Sequence, residues 1–361
     1  MRLNLTELKI ELTQQCPLAC VHCSTNSSRK QTSALPKAVV LRLLREAAEL
    51  HIEKVVFTGG EPLVCAHLSE AISTAAASGI SPTLYTSGIA DNALTPMSLE
   101  IASSLAQQGL SRFIFSVYSH RPEVHDSVTR YGTHAATLVA LRNAILTKLP
   151  AEVHFVAMKR NFRDLPGLVD LAASMEVQKV SVLRFVPQGR GRNITSGDDL
   201  VGDELKELAD TILSLRQQHP RLVIRAGSPF NILTIGYTTC NAAQDVLIIN
   251  HRGDVFPCDA FKNVVYPDSM FGNVLCQGLR DVWEHSLFLN RVREILEGEK
   301  GEACRSCEQA QACQSGCLAQ KVIREGWEAV REPDPDCLVE PAANLASVKP
   351  VLVQFADSAS H

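Results

Sequence analysis

Apolar residues recur along the first half of the chain in two alternating rhythms. Short runs rich in β-branched and aromatic residues occupy 8–13 (LKIELT), 54–60 (KVVFTGG), 82–88 (PTLYTSG), 112–119 (RFIFSVYS), 152–159 (EVHFVAMK) and 179–186 (KVSVLRFV). They read as strands. Between them the spacing changes to that of amphipathic helices. In 36–50, Pro36 suits a first helical turn, and Val39, Val40, Leu43, Leu44, Ala47 and Leu50 share one face. Further helices are predicted near 66–78, 97–108, 134–147, 164–175 and 202–217. Repeated strand–helix units of about 30 residues, six in all, predict a parallel sheet covered by helices. Periodicity alone does not distinguish an open, doubly wound sheet from a partial barrel.

In such sheets ligands bind at the C-terminal ends of the strands. Four suggestive loops fall there. CPLACVHC (16–23) follows the first strand, GGEP (59–62) the second, TSG (86–88) the third, and SVYSHRPEVHD (116–126) begins where the fourth ends. Their convergence on one mouth carries more weight than any single motif, because a lone Gly-Gly turn is often only a tight connection.

Composition narrows the classes. The chain has 361 residues, 45% hydrophobic and 20% charged, as expected of a globular protein of two domains. Net charge is −4, and the absence of a long Lys/Arg run argues against a nucleic-acid partner. The amino terminus lacks the apolar stretch of a signal peptide, and no segment has the ~20 apolar residues of a membrane span. No membrane partner is expected, and the expected location is the cytoplasm. In that reducing compartment, twelve cysteines need an explanation other than disulfides. Three of them, Cys16, Cys20 and Cys23, form a cluster, and Cys65 stands alone. The other eight lie beyond residue 239: Cys240, Cys258, Cys276, Cys304, Cys307, Cys313, Cys317 and Cys337. The expected division is 1–225, 226–340 and a tail, 341–361.

Three thiols within eight residues suit iron–sulfur ligation. A zinc site would have to recruit His22, which adjoins Cys23, and adjacent residues seldom reach one tetrahedral ion. A cubane cluster held by three thiolates leaves one iron open for a substrate or cofactor.

CxxxCxxC after a first strand with GGEP after a second resembles the radical S-adenosylmethionine (SAM) superfamily. The resemblance covers residues 5 to about 225. It implies a partial (β/α)6, TIM-like barrel, and a [4Fe-4S] cluster on Cys16, Cys20 and Cys23 whose open iron chelates SAM. One electron from that cluster cleaves SAM to a 5′-deoxyadenosyl radical. It also implies SAM contacts from Gly59, Gly60 and Glu61 to the ammonium, from Ser116, and from Arg130 to the carboxylate. Plainer alternatives are a strand hydroxyl for Ser116 and a solvated surface charge for Arg130. His22 stands where the family often has an aromatic residue.

The last third, with Cys240-x12-Gly253-x4-Cys258, Cys304-x2-Cys307-x5-Cys313-x3-Cys317 and Cys337, resembles the SPASM extension of that superfamily. Zinc ribbons are the alternative. The resemblance implies two auxiliary [4Fe-4S] clusters with crossed ligation. Cys304, Cys307, Cys313 and Cys337 would complete one, while Cys240, Cys258 and Cys317 would serve the other, with its fourth position open, filled by another group, or filled by Cys276. Cys65 reads as a buried apolar thiol.

SPASM enzymes typically modify peptides or proteins, so the implied activity is oxidation of a peptide or protein side chain. In sulfatase-maturing relatives an aspartate at the position of Asp259 acts as base; a turn-capping Asp is the alternative. Arg190 and Arg192 are candidate substrate contacts or solvent-facing charges. Implied partners are the peptide or protein substrate and an electron donor such as flavodoxin or ferredoxin. With Cys16 so near the start, a leader peptide is expected to bind elsewhere or through a separate leader-binding protein. A small-molecule radical SAM enzyme and a non-catalytic metal-binding protein are the rival readings.

Overall fold

In β1 (Glu7–Thr13) the alternation separates two faces. Leu8, Ile10 and Leu12 are fully buried in the core, while Glu7 and Lys9 line a cavity on the opposite face. The same division holds in β2 (Lys54–Gly59), β3 (Ser81–Thr86), β4 (Arg112–Ser116), β5 (Ala151–Ala157) and β6 (Lys179–Arg184). Phe57, Leu84, Phe113, Phe115, Phe155 and Val182 are fully buried in the core, and Tyr85, Ser116, His154 and Ser181 face the cavity. A strand carries both because successive side chains point to opposite faces. The computed structural model describes residues 4–194, 197–227, 240–262, 264 and 271–339.

Helices α1 (Lys37–Glu49), α2 (Leu68–Ala77), α3 (Leu99–Gln107), α4 (Pro122–Thr129), α5 (His134–Leu146), α6 (Leu165–Ser174) and α7 (Asp203–Gln218) connect the strands. All six predicted strands and all six predicted helices are present. The sheet is larger than expected: β7 (Val223–Ala226), β8 (Val246–Ile249) and β9 (Val255–Phe256) bring it to nine strands, in the order β7-β6-β5-β4-β3-β2-β1-β8-β9. Every pairing is parallel except β8 with β9. Strands of two to four residues are too short to show a period, which explains their absence from the expected pattern.

The sheet curls without closing, with β7 and β9 at its edges. Tyr85 on β3 and His154 on β5 have ring centroids 5.0 Å apart, although a flat sheet separates alternate strands by about 9.5 Å. Curling therefore gathers the inward residues of distant strands around one space. Part of the cysteine-rich module belongs to the same sheet, since β8 pairs with β1 from Glu7↔Val246 to Ile10↔Ile249. Among the described residues, no helix is long and apolar enough to cross a membrane.

Candidate active site

The inward faces of β1–β7 enclose a cavity of about 960 Å³. Cys16, Cys20 and Cys23 lie in its wall, and so does Cys317 from the C-terminal module. The loop carrying the first three is pinned from both sides. Val21 N donates to Val128 O (2.9 Å) and Ala19 N to Thr129 O (3.3 Å) at the end of α4, while Cys16 N donates to Ser28 O (3.1 Å). Burial and then the neighbouring Cys20 push the Cys16 thiol far up, and burial followed by Cys23 pushes Cys20 up to about 12. Crowded, desolvated thiolates repel one another, so this donor set suits a site whose negative charge is offset by bound iron.

Gly59 and Gly60 line the cavity beside these thiols. At Gly60 a Cβ would lie 2.1 Å from Gln15 O, so only glycine lets the end of β2 close on the loop after β1. Glu61, at the next position, is tied to the neighbouring loop. Its buried carboxylate accepts Thr86 Oγ1 (2.5 Å) and Leu63 N (3.2 Å) on Oε1, and Ser87 N (2.8 Å) and Ser87 Oγ (2.5 Å) on Oε2. Those four bonds use its acceptor capacity. Glu61 therefore holds the TSG loop in place.

Ser116 is on the cavity wall. Arg130 is not. It follows the last residue of α4 in the left-handed region (φ 64°) and is exposed, outside the cavity lining. Asp126 from the same motif caps α5, its Oδ1 accepting Thr133 N (2.8 Å) and His134 N (2.9 Å). Replacing Arg130 by alanine is accordingly expected to leave SAM cleavage, measured as 5′-deoxyadenosine released, within about twofold, as for surface substitutions remote from any contact.

Asp259 lies between two lysines. Its Oδ2 accepts Lys9 Nζ and its Oδ1 pairs with Lys262 Nζ, both at 2.7 Å, and Lys262 also pairs with the buried Glu11 at 2.6 Å. Burial opposes the charge on Asp259, but Lys262 and then Lys9 outweigh it and hold the carboxyl far below the usual range. Asp259 thus anchors two cations in the cavity wall. The charged residues alternating in Glu7-Leu-Lys-Ile-Glu11 were the sequence signal for this polar interior.

Two buried histidines give the fold a pH limit. Burial lowers His154 to about 3, helped by Lys9 and Lys179, and lowers His125 to about 4, helped by His134. His125 Nδ1 accepts Tyr118 N (3.3 Å), which fits the neutral ring. The unfolded chain binds protons at these sites below about pH 6.5 while the folded chain does not. Stability is therefore expected to be full above that pH and to fall as the pH drops towards 4. His125→Gln and His154→Gln should flatten that fall, as measured by chemical denaturation between pH 4.5 and 7.5.

The C-terminal thiols separate into two groups. Burial and then Cys317 push Cys240 up to about 11, and burial, Cys240 and Cys317 raise Cys258. In the other group, burial and then Cys337 push Cys313 up to about 11, with Cys304 adding to it; burial raises Cys304, with Cys337 and Cys307 adding. Cys65 is buried, with His67 Nε2 3.4 Å from its sulfur. Cys276 is exposed, its thiol donating to Asn273 O (3.5 Å). Its segment is tied to the outer helix α1 on both sides, through Arg42 Nη2 to Val274 O and Leu279 N to Glu46 Oε2 (2.7 Å).

The Radical SAM superfamily model matches residues 10–172, and the SPASM iron–sulfur cluster-binding domain matches residues 240–308. The chain carries a radical SAM domain followed by a SPASM domain. Its radical SAM domain implies a [4Fe-4S] cluster that binds SAM, and its SPASM domain implies auxiliary iron–sulfur clusters. Curated relatives include the mycofactocin maturase MftC of Mycolicibacterium smegmatis, 27% identical over 94% of this chain and 85% of the relative. The PqqA peptide cyclase of Xanthomonas campestris pv. campestris is 28% identical, over 92% of this chain and 86% of the relative. Among solved structures, Streptococcus suis SuiB bound to S-adenosylmethionine shares the fold. Its TM-score is 0.76 at 18% identity, covering 93% of this chain and 78% of that one.

Further residues of this radical SAM enzyme escaped sequence reasoning. Arg184 pairs with Asp334 at 2.9 Å and with Asp336, joining β6 to the SPASM side, and Asp334 Oδ2 accepts Cys317 N at 2.7 Å. Partners 150 residues apart leave no local pattern to read.

Proposed function

We propose that this radical SAM enzyme is a peptide maturase that oxidises a side chain of a peptide or protein substrate. The observation that carries the reading is the single cavity with Cys16, Cys20 and Cys23 in one part of its wall and Cys317 in another. A substrate in that space would meet both the radical source and an electron acceptor. Relatives named as a mycofactocin maturase and a PqqA peptide cyclase, matched over nine-tenths of the chain, support a peptide as the substrate class.

In this reading Cys16, Cys20 and Cys23 hold the SAM-binding cluster, which supplies the one-electron cleavage of SAM. Cys240, Cys258 and Cys317 hold one auxiliary cluster, and Cys304, Cys307, Cys313 and Cys337 the other. Gly59 and Gly60 keep the cavity wall close to the first thiols, and Ser116 offers a hydroxyl to the bound cofactor. Lys9, Asp259 and Lys262 give the substrate a charged wall. The donor is a flavodoxin or ferredoxin, the location the cytoplasm, and a separate leader-binding protein is tested by its effect on peptide KM.

The test is anaerobic incubation of the iron-loaded protein with SAM, a reductant and the short peptides encoded beside its gene, followed by mass spectrometry. The expected result is a peptide lighter by two hydrogens, with 5′-deoxyadenosine formed. Turnover of a small molecule with every peptide unchanged, or about four zinc ions per chain in place of iron, would sink the reading.

A further inference from the structure

Residues 185–190, directly after β6, are attached to three cysteine-bearing segments at once. Phe185 O accepts Gln320 Nε2 (3.0 Å), from the helix that begins after Cys317. Gln188 Nε2 donates to Ala260 O (2.7 Å), two residues beyond Cys258. Both glutamines are fully buried. At the far end, Arg190 N donates to Cys23 O and Arg190 Nε to Cys20 O, each at 3.0 Å. Between these anchors Gly189 has φ 53°, and a Cβ there would lie 2.4 Å from both Cys23 O and Ser24 O. Only glycine permits so close an approach to the first thiol loop.

Arg190 lines the cavity beside these thiols and has no carboxylate partner among the described residues. An arginine that is partly buried and unpaired is costly unless negative charge sits near it. Three thiolates with their cluster are such a charge, and the potential of an iron–sulfur cluster responds to nearby charge and hydrogen bonding.

We propose that Arg190 is a positioning residue for the cluster on Cys16, Cys20 and Cys23: it fixes the Cys20–Cys23 turn, and its uncompensated charge makes that cluster easier to reduce. The proposal rests on the reading that these three cysteines hold the SAM-binding cluster. Arg190 works through the cluster and performs no chemistry on the substrate. The strap to which it belongs keeps its position fixed relative to Cys258 and Cys317.

The experiment compares the wild-type chain, Arg190→Gln and Arg190→Lys after anaerobic iron loading. Iron and sulfide are counted, and the midpoint potential is followed by electron paramagnetic resonance, using the reduced signal that changes when SAM is added. In Arg190→Gln the reduction equilibrium is expected to fall by about tenfold, about 59 mV for one electron. Arg190→Lys, which keeps the charge, should stay within about twofold of wild type at the separations involved. A fully loaded Arg190→Gln protein at the wild-type potential overturns the proposal. If Arg190→Gln fails to load, Arg190→Lys decides: loading with a near wild-type potential supports the charge role, whereas loss of the cluster or a tenfold fall overturns it. A wild-type chain without any SAM-sensitive signal overturns the ligand reading itself, and is told apart because no variant is then needed.

Discussion

Cys20→Ala is expected to abolish SAM cleavage outright, with 5′-deoxyadenosine below detection and about four fewer iron atoms per chain than wild type. Cys20 is the middle thiol of a group in which each member is crowded by another, Cys16 by Cys20 and Cys20 by Cys23. With the middle donor gone, two thiolates remain to hold four irons, too few to retain a cluster and an open coordination position together. The loop itself should persist, because its anchors are backbone bonds from Val21, Ala19 and Cys16. Unchanged thermal unfolding alongside lost iron would therefore separate a missing ligand from a misfolded chain. Retention of SAM cleavage would remove Cys20 from the ligand set.

Cys317→Ala is expected to separate two activities that the wild-type chain couples. In the proposed ligand sets Cys317 belongs with Cys240 and Cys258, and it is the member of that group in the cavity wall. Its loss should remove up to about four irons and stop the two-hydrogen oxidation of the peptide. SAM cleavage needs only the first thiol group and should continue, so 5′-deoxyadenosine accumulates without modified peptide. The measurement is the ratio of the two products. Equal loss of both would show that the auxiliary thiols support the fold or the first cluster, and equal retention would show that the Cys317 group takes no electron from the substrate.

Local rules made much of this molecule legible. Leu8, Ile10 and Leu12 announced a buried face through period two, and the spacing of Val40, Leu43, Leu44 and Ala47 announced the helix that covers it. Cysteine spacing was legible because a thiol has few other uses in a reducing compartment. What the sequence left open has a physical cause in long-range geometry. Whether an arginine near a helix end faces a cavity depends on the residue at which the helix stops, and Arg130 lies just beyond the end of α4, exposed. The work of Glu61 is set by Thr86 and Ser87, 25 and 26 residues away. That of Asp259 is set by Lys9, 250 residues away. A carboxylate's role follows from its partners, and the chain brings those together only after folding.

The pairing of β8 with β1 has a consequence for how the chain is made. Thr6 and Asp245, hydrogen-bonded at the start of that pairing, are 239 residues apart, so β1, made long before β8, is among the last strands to have both edges covered. Through most of synthesis one edge of β1 presents unpaired backbone groups, a template for unwanted strand addition. Completion of the barrel wall therefore waits for the cysteine-rich module, and a shortened chain ending after β7 would keep β1 as an open edge. Cluster loading and folding are linked for the same reason: the segment between Cys240 and Cys258 supplies the strand that finishes the sheet.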